Sequence, residues 1–474
     1  MEEQPGFVVQ VSQNKYLSAD DREVHAILTV TAHGIEARSR LEAAEVIAID
    51  CSGSMSGSKI IAARRAARAA IDALRDGVYF AVVEGTSVAR VVYPDTGGLV
   101  QATAQTRRAA KRRIRGLVAG GGTLMGAWLR EARRLLDAHP DAVRHAILLT
   151  DGWNNDPRDL DRALEHCAGR FVCDARGIGD DYAPDEVLRI ANTLRGTADA
   201  IVEDADLEAE FAKLMRNAMT KVVAEVWLRL RTMPFTRLRS LRQVHPTEID
   251  LTPSQTPIDE RTRGFSTGSW AAGEEREFHV CLEVDPSRLA RYEDVQAARV
   301  DVAVAGAGAA EPRPSGRPVP ILAHWTEDLG LSSVIDSKVA HYRGYTDLAT
   351  AVEAGQAAYE AGDTDRAAEE WGRAVRLAAG FGDEEMLRRL GRLVDVIGDP
   401  ADGKVRVKGN LRPRDVFSAL IGAHTTTRSP DARPRRDRPA PSDGPEIPCP
   451  NCEEPMALTD RVCEACGRPL GKRP

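Results

Sequence analysis

Apolar and polar positions alternate through residues 7–32, where FVVQV and EVHAILTV set Val24, Ala26, Leu28 and Val30 at every second position. A period of two puts those side chains on one face of a pleated strand, so the pattern predicts half-buried β structure. The texture changes at residue 43. AAEVIAID is a short, near-continuous apolar run, and in the following SKIIAARRAARAAIDALRD the residues Ile60, Ala67, Ile71 and Leu74 fall at helical spacing. A buried strand and then an amphipathic helix are implied. The alternation runs on through VYFAVVEG, SVARVVYP, HAILLTDG, RFVCDARGIG and DAIVE, with helices predicted over 103–117, 124–138, 158–168, 183–195 and 207–221. Strands alternating with helices predict an α/β unit with a doubly wound, mostly parallel sheet, in which 78–94 is short enough to be a hairpin carrying one antiparallel edge strand.

Beyond 222 the period of two returns in AEVWLRLRTM (Val226, Leu228, Leu230), EREFHVCLEV (Phe278, Val280, Leu282, Val284) and ARVDVAVAG, between loops rich in Pro, Gly and Thr. These strands predict a β-sandwich over 223–322. Because 1–40 is also strand-rich, the economical arrangement has the N-terminal strands join that sandwich, with the α/β unit of 41–222 inserted in it; separate small β elements would give the same pattern. Helical periodicity resumes over 326–422, as three helices broken at AGD and GFGD. Residues 423–447 mix Pro, Ser and charge without an apolar period and predict a disordered linker, ahead of a Cys-rich segment at 448–470.

Composition narrows the classes. A chain of 474 residues exceeds a single small module. Lys+Arg 64 against Asp+Glu 71 gives a net charge of -7, which argues against a protein dominated by contacts to a phosphate backbone. A hydrophobic share of 43% supplies sizeable cores and excludes general disorder. The first residues, MEEQPGFVVQ, carry neither a basic nor an apolar leader segment, and no apolar run approaches the ~18 residues of a spanning helix. The expectation is a cytoplasmic protein without a membrane partner. Of 8 Cys, four form two CxxC pairs and Cys51, Cys167, Cys173 and Cys281 are scattered, a usage that suits reduced thiols plus a metal site.

The most informative stretch is Asp50-Cys51-Ser52-Gly53-Ser54-Met55, where an apolar strand ends and a helix is about to begin. Ligand sites of open α/β sheets lie at such carboxyl ends. One carboxylate and two hydroxyls around a Gly offer oxygen donors to a hard cation such as Mg²⁺. Taken alone, the same residues also read as a turn whose Asp or Ser caps the helix. Two further segments add donors: Thr123 follows Gly121-Gly122 directly before the helix of 124–138, and Asp151-Gly152 ends the strand HAILLT.

In these residues the chain resembles the von Willebrand factor type A family, whose metal-ion-dependent adhesion site is this pattern. The resemblance covers about 43–221 and includes the strand ending Gly177-Ile178-Gly179. It implies a Rossmann-like fold with Ser52, Ser54 and Thr123 as hydroxyl ligands of Mg²⁺ (or Mn²⁺ or Ca²⁺). Asp50 and Asp151 act in direct contact or through water, a division the motif leaves open. It also implies an open coordination position completed by an Asp or Glu of a protein partner. Met55, Trp153 and Asn154, with Asn155, are expected at the rim; for Trp153 a ring packed on its own loop is an equal alternative.

Enzymatic patterns fit less well. A DxDx phosphatase needs a second acid where Ser52 stands, Gly120-Gly121-Gly122 lacks the Lys of a phosphate loop, and no G-x-S-x-G elbow is present. The histidines, among them His25, His33, His145 and His166, are scattered singly. The expectation is a protein that is not an enzyme.

Cys449-Pro450-Asn451-Cys452 and Cys463-Glu464-Ala465-Cys466 form two knuckles that present four thiolates to one tetrahedral Zn²⁺. The segment resembles the short zinc ribbons of many bacterial proteins, which bind proteins or nucleic acids. Helix 103–117 carries Arg107, Arg108, Lys111, Arg112 and Arg115 on one face, either as solvated surface or as a docking face. STGSWAAGEEREFHVCLEV resembles the β-sandwich strand that accompanies von Willebrand A domains in inter-α-trypsin-inhibitor-like and bacterial cytoplasmic relatives. AGDTDRAAEEWGRAVRLA resembles half of a tetratricopeptide pair, with Tyr359 and Trp371 inward. The resulting expectation is a non-enzymatic, Mg²⁺-dependent interaction scaffold in a bacterial signalling or stress-response assembly, beside a kinase, phosphatase or ring ATPase. The alternative is a nucleic-acid-associated factor using the ribbon, the basic helix face and Arg433, Arg435, Arg436 and Arg438.

Overall fold

The computed structural model describes residues 6–34, 42–288, 292–305 and 312–429, with the two strands Glu446–Pro448 and Pro455–Ala457. In chain order the elements that matter here begin with β1 (Gly6–Ser12), β2 (Glu23–His33), β3 (Ala43–Asp50), α1 (Ser58–Ala73), β4 (Tyr79–Gly85), β5 (Ala89–Tyr93), α2 (Ala104–Ile114) and α3 (Met125–Leu136). They continue with β6 (Val143–Thr150), α4 (Pro157–Cys167), β7 (Val172–Ile178), α5 (Pro184–Thr193), β8 (Arg195–Ile201) and α6 (Leu207–Ala218). Then come β9 (Glu225–Thr232), β10 (Thr236–His245), β11 (Thr262–Ser266), β12 (Glu275–Val284), β13 (Val295–Ala305) and β14 (Val319–Trp325). Four longer helices follow: α7 (Ser337–Glu360), α8 (Thr364–Phe381), α9 (Glu384–Leu393) and α10 (Pro413–Gly422).

The α/β unit is built on a sheet of order β8-β7-β6-β3-β4-β5, parallel except for β5. Every residue of β3 is buried, and its apolar run is shared between two cores. Ala43, Ile47 and Ile49 pack with α1, α2 and α6, whereas Ala44, Val46 and Ala48 pack with α3, α4 and α5. Helices on both faces are the reason this strand lacks the polar alternation of a one-sided one.

Two further sheets share a third core. One has the order β1-β2-β12-β10 and the other β11-β9-β13-β14. Val24, Ala26, Leu28 and Val30 of β2 meet Phe278, Val280 and Leu282 of β12, together with Val226, Leu228, Val300 and Ile321 from the other sheet. The chain thus leaves this layer after β2, builds the α/β unit and returns at β9.

The helices α7–α10 enclose a fourth core around Trp371 and Leu390. Ionic clamps dock them: Lys338 Nζ lies 2.6 Å from Glu277 Oε1, Arg389 pairs with Asp199 at 2.8 Å and Arg414 with Asp180 at 2.6 Å. The helix α10 has no counterpart in the three-helix expectation; its apolar residues Val416, Ala419 and Leu420 are claimed by this core. The linker expected from residue 423 is corrected as well. Ala423 is buried, the Thr426 hydroxyl donates to the Val244 carbonyl, and the Thr427 backbone N–H donates to Tyr345 Oη at 3.0 Å, so 423–428 is held against the body by its hydroxyl and backbone groups. Cys449, Cys452, Cys463 and Cys466 lie outside the described residues; the strands Glu446–Pro448 and Pro455–Ala457 pair antiparallel with each other.

Candidate metal centre

At the carboxyl end of β3 the chain enters a single 3-10 turn, Gly53–Met55, and then α1. Asp50 is fully buried. Its Oδ1 accepts the Ser52 backbone N–H at 2.7 Å, and its Oδ2 accepts the Thr150 hydroxyl at 2.8 Å. Burial pushes the Asp50 carboxyl above its ordinary range, against the hydrogen bonds from Ser52 and Thr150 that favour the ionised form, and nearby Asp151 adds to the rise.

Ser52 Oγ and Ser54 Oγ are 2.9 Å apart, and Ser54 Oγ donates to Asp151 Oδ1 at 2.7 Å. The second loop is laid against the first by Gly120 N–H on the Cys51 carbonyl (2.7 Å) and Gly53 N–H on the Gly121 carbonyl (3.0 Å). Gly121 has φ +87, a left-handed conformation that favours glycine. Asn155 Oδ1 accepts the Thr123 N–H at 2.6 Å, and the Asn155 N–H returns a bond to the Thr123 carbonyl at 2.8 Å. These contacts aim three hydroxyls at one place. A Cβ built on Gly152 would stand 3.0 Å from Ser54 Oγ, 3.2 Å from Thr123 Oγ1 and 3.9 Å from Ser52 Oγ. The glycine leaves a small cradle walled by hydroxyl oxygens with Asp50 and Asp151 behind them, and an all-oxygen donor set suits Mg²⁺, Mn²⁺ or Ca²⁺ rather than a soft metal.

All five motif residues therefore meet, from three loops. Two rim expectations are corrected. Met55 is 0% exposed, because the 3-10 turn points it into the core beneath α1. Asn154 is buried, its Oδ1 accepting the Met125 N–H at 3.1 Å and its Nδ2 donating to the Asp156 carbonyl at 2.8 Å, so it braces the loop rather than facing outward. Trp153 is 63% exposed. The motif reading missed Lys59, whose Nζ is 2.6 Å from Asp151 Oδ2, and Thr150. Thr150 was signalled only by preceding Asp151 in HAILLTDG, and Lys59 only by its place at the start of the helix after GSMSG.

His145 lies near the opposite end of β6, with Nδ1 2.7 Å from Glu45 and Nε2 3.0 Å from Asp174. Six residues of strand, about 20 Å, separate it from Asp151.

A profile of the von Willebrand factor type A domain matches residues 44–200. A solved von Willebrand factor type A structure from Catenulispora acidiphila is 41% identical, covers 90% of this chain and 97% of its own, and superposes with a TM-score of 0.81. The chain belongs to the von Willebrand factor type A family. The ArnB paralog VWA2 of Sulfolobus acidocaldarius shares the fold at 14% identity, over 88% of this chain and 97% of its own, with a TM-score of 0.53. Among curated proteins, one from Synechocystis is 26% identical over 52% of this chain and 60% of its own length, and mouse inter-alpha-trypsin inhibitor heavy chain H2 is 29% identical over 38% and 20%. The chain thus spans less than two thirds of these curated relatives. Among the described residues no helix is long and apolar enough to cross a membrane.

Proposed function

We propose that this protein is a non-enzymatic interaction scaffold that captures an Asp or Glu of a protein partner through a divalent cation, Mg²⁺ first, held by Ser52, Ser54, Thr123, Asp50 and Asp151. The carrying observation is the convergence of three hydroxyls on the space over Gly152. Three of the five donors are neutral hydroxyls, which give a bound cation little charge, and an incoming carboxylate adds what they do not. The surroundings suit a protein ligand: Trp153, Val88 and Val118 are exposed large apolar residues on the loops beside the site. Loops, helices and a zinc-binding tail on Cys449, Cys452, Cys463 and Cys466 add docking surface. A cytoplasmic bacterial assembly containing a kinase, phosphatase or ring ATPase is the setting we favour. The nucleic-acid reading is weakened because Arg107 and Lys111 of the basic helix are paired with Asp76 and Asp72 of the same unit.

The test is calorimetric titration of Mg²⁺ into the full chain and into Thr123→Ala, with affinity capture from native extract in Mg²⁺ and in EDTA. Mg²⁺ binding and EDTA-sensitive capture, both lost in a folded Thr123→Ala, are expected. Undiminished capture by that variant in EDTA refutes the reading.

A further inference from the structure

Lys59 is the second residue of α1, and its ammonium reaches back over the motif loop. Nζ is 2.6 Å from Asp151 Oδ2 and 3.8 Å from Asp181 Oδ2. Asp151 is fully buried, and its other oxygen already accepts the Ser54 hydroxyl. Both carboxylate oxygens are thereby committed within the protein. Gly179 leaves the ammonium its room: a Cβ there would stand 3.0 Å from Lys59 Cε and 3.1 Å from Nζ, and Gly179 itself has φ +84. A bare backbone at that position makes the slot in which the ammonium sits.

The charges then decide what the site can hold. Asp50 and Asp151 contribute two negative charges and Lys59 one positive, so these three groups offer a net charge of about -1 to a divalent ion, the carboxylate of Asp181 being 72% exposed and screened by solvent. An ion bound there leaves the centre positive; without Lys59 it would leave it neutral. From this we infer that Lys59 is an internal cation of the metal centre, weakening the hold on a bare divalent ion and reserving tight binding for the state in which an outside carboxylate is also bound. The inference rests on the metal-centre reading above. Ion and carboxylate become thermodynamically coupled, each raising the affinity for the other by the same factor. The exposed carboxylate of Asp181 gives the ammonium a second partner when Asp151 turns toward an ion.

The experiment titrates Mn²⁺ into the full chain, Lys59→Gln and Lys59→Met, after circular dichroism shows each folded, and reads free Mn²⁺ by electron paramagnetic resonance. Mn²⁺ is chosen because a hard ion competes poorly for cysteine thiolates. Lys59→Gln keeps a donor for Asp151 and removes only the charge. Both variants are expected to bind Mn²⁺ at least about tenfold more tightly than the parent, one pK unit of lost repulsion. Acetate, added at saturating Mn²⁺ and followed by water-proton relaxation, is expected to bind the variants more weakly. Mn²⁺ affinity in Lys59→Gln equal to or below the parent overturns the inference while leaving the metal centre standing. A parent and variants that all fail to bind Mn²⁺, or that bind it unchanged when Thr123→Ala is added, bring down the metal-centre reading and this inference with it.

Discussion

Thr150 Oγ1 donates a 2.8 Å hydrogen bond to Asp50 Oδ2 and ties the carboxyl ends of β6 and β3, which lie side by side in the parallel sheet. These are the strands at which the winding reverses. The chain leaves β3 for α1 on one face and β6 for α4 on the other, so their ends are left uncovered by either helix layer. The residues of the candidate metal centre occupy the crevice that this reversal opens.

Trp153 presents a mostly exposed ring beside that crevice. Trp153→Ala is expected to change stability by under about 0.5 kcal/mol. As a large aromatic at an interface it should cost partner binding about 2 kcal/mol, some thirtyfold, leaving Mg²⁺ affinity unaltered. Parallel calorimetry with the ion and with a captured partner checks both halves; unchanged partner affinity removes Trp153 from the interface.

Basic helix α2 divides into two sets. Arg107 and Lys111 hold Asp76 and Asp72, while Arg108 and Arg112 are exposed. Replacing Arg108 and Arg112 by Gln should shift stability by under about 0.5 kcal/mol and leave partner capture intact, as expected of solvated charges. Thermal melts and capture yields measure this. Loss of capture in a folded double variant would make the face an interface.

The pH profile of stability should carry the mark of His145. Burial alone would lower its pKa, but Glu45 and Asp174 on its two nitrogens outweigh that and raise it to about 10. The folded state therefore keeps a proton that the unfolded chain releases near its ordinary 6.5. This stabilisation is complete below about pH 6.5 and is lost as pH rises toward 10, a fall of the order of a few kcal/mol. Urea unfolding between those limits should show the decline for the parent and a flatter profile for His145→Gln. A parent whose stability is level across that window contradicts the charged His145.

Purified reduced protein should contain about one Zn²⁺ per chain, held by Cys449, Cys452, Cys463 and Cys466. Cys449→Ser with Cys463→Ser should abolish it without altering the main thermal transition, because metal binding and folding of so small a segment are one process. Atomic-absorption analysis of the two proteins decides; zinc-free parent protein excludes the site.

Local pattern was enough for what depends on short range. The alternation of apolar runs and helical stripes from 43 to 221 specifies a doubly wound sheet, because each residue's face is set by its own period of two or 3.6. The motif positions Asp50, Ser52, Ser54, Thr123 and Asp151 were legible for a related reason: strand ends, glycines and small hydroxyl residues announce a turn of known chemistry. Side-chain direction within that turn was not. Met55 points inward and Asn154 braces the loop because neighbouring elements offer Met55 an apolar cavity and Asn154 an unpaired N–H. That the N-terminal strands join the later sheets was legible as the economical arrangement, since both segments carry a face to bury; which strands pair and in what register was not. That β2 hydrogen-bonds β12, with Leu28 opposite Phe278, and that Lys59 meets an aspartate 92 positions away, are decided by which surfaces remain to be buried once the sheets and helices exist. Periodicity states that a face must be covered; only the assembled fold states by what.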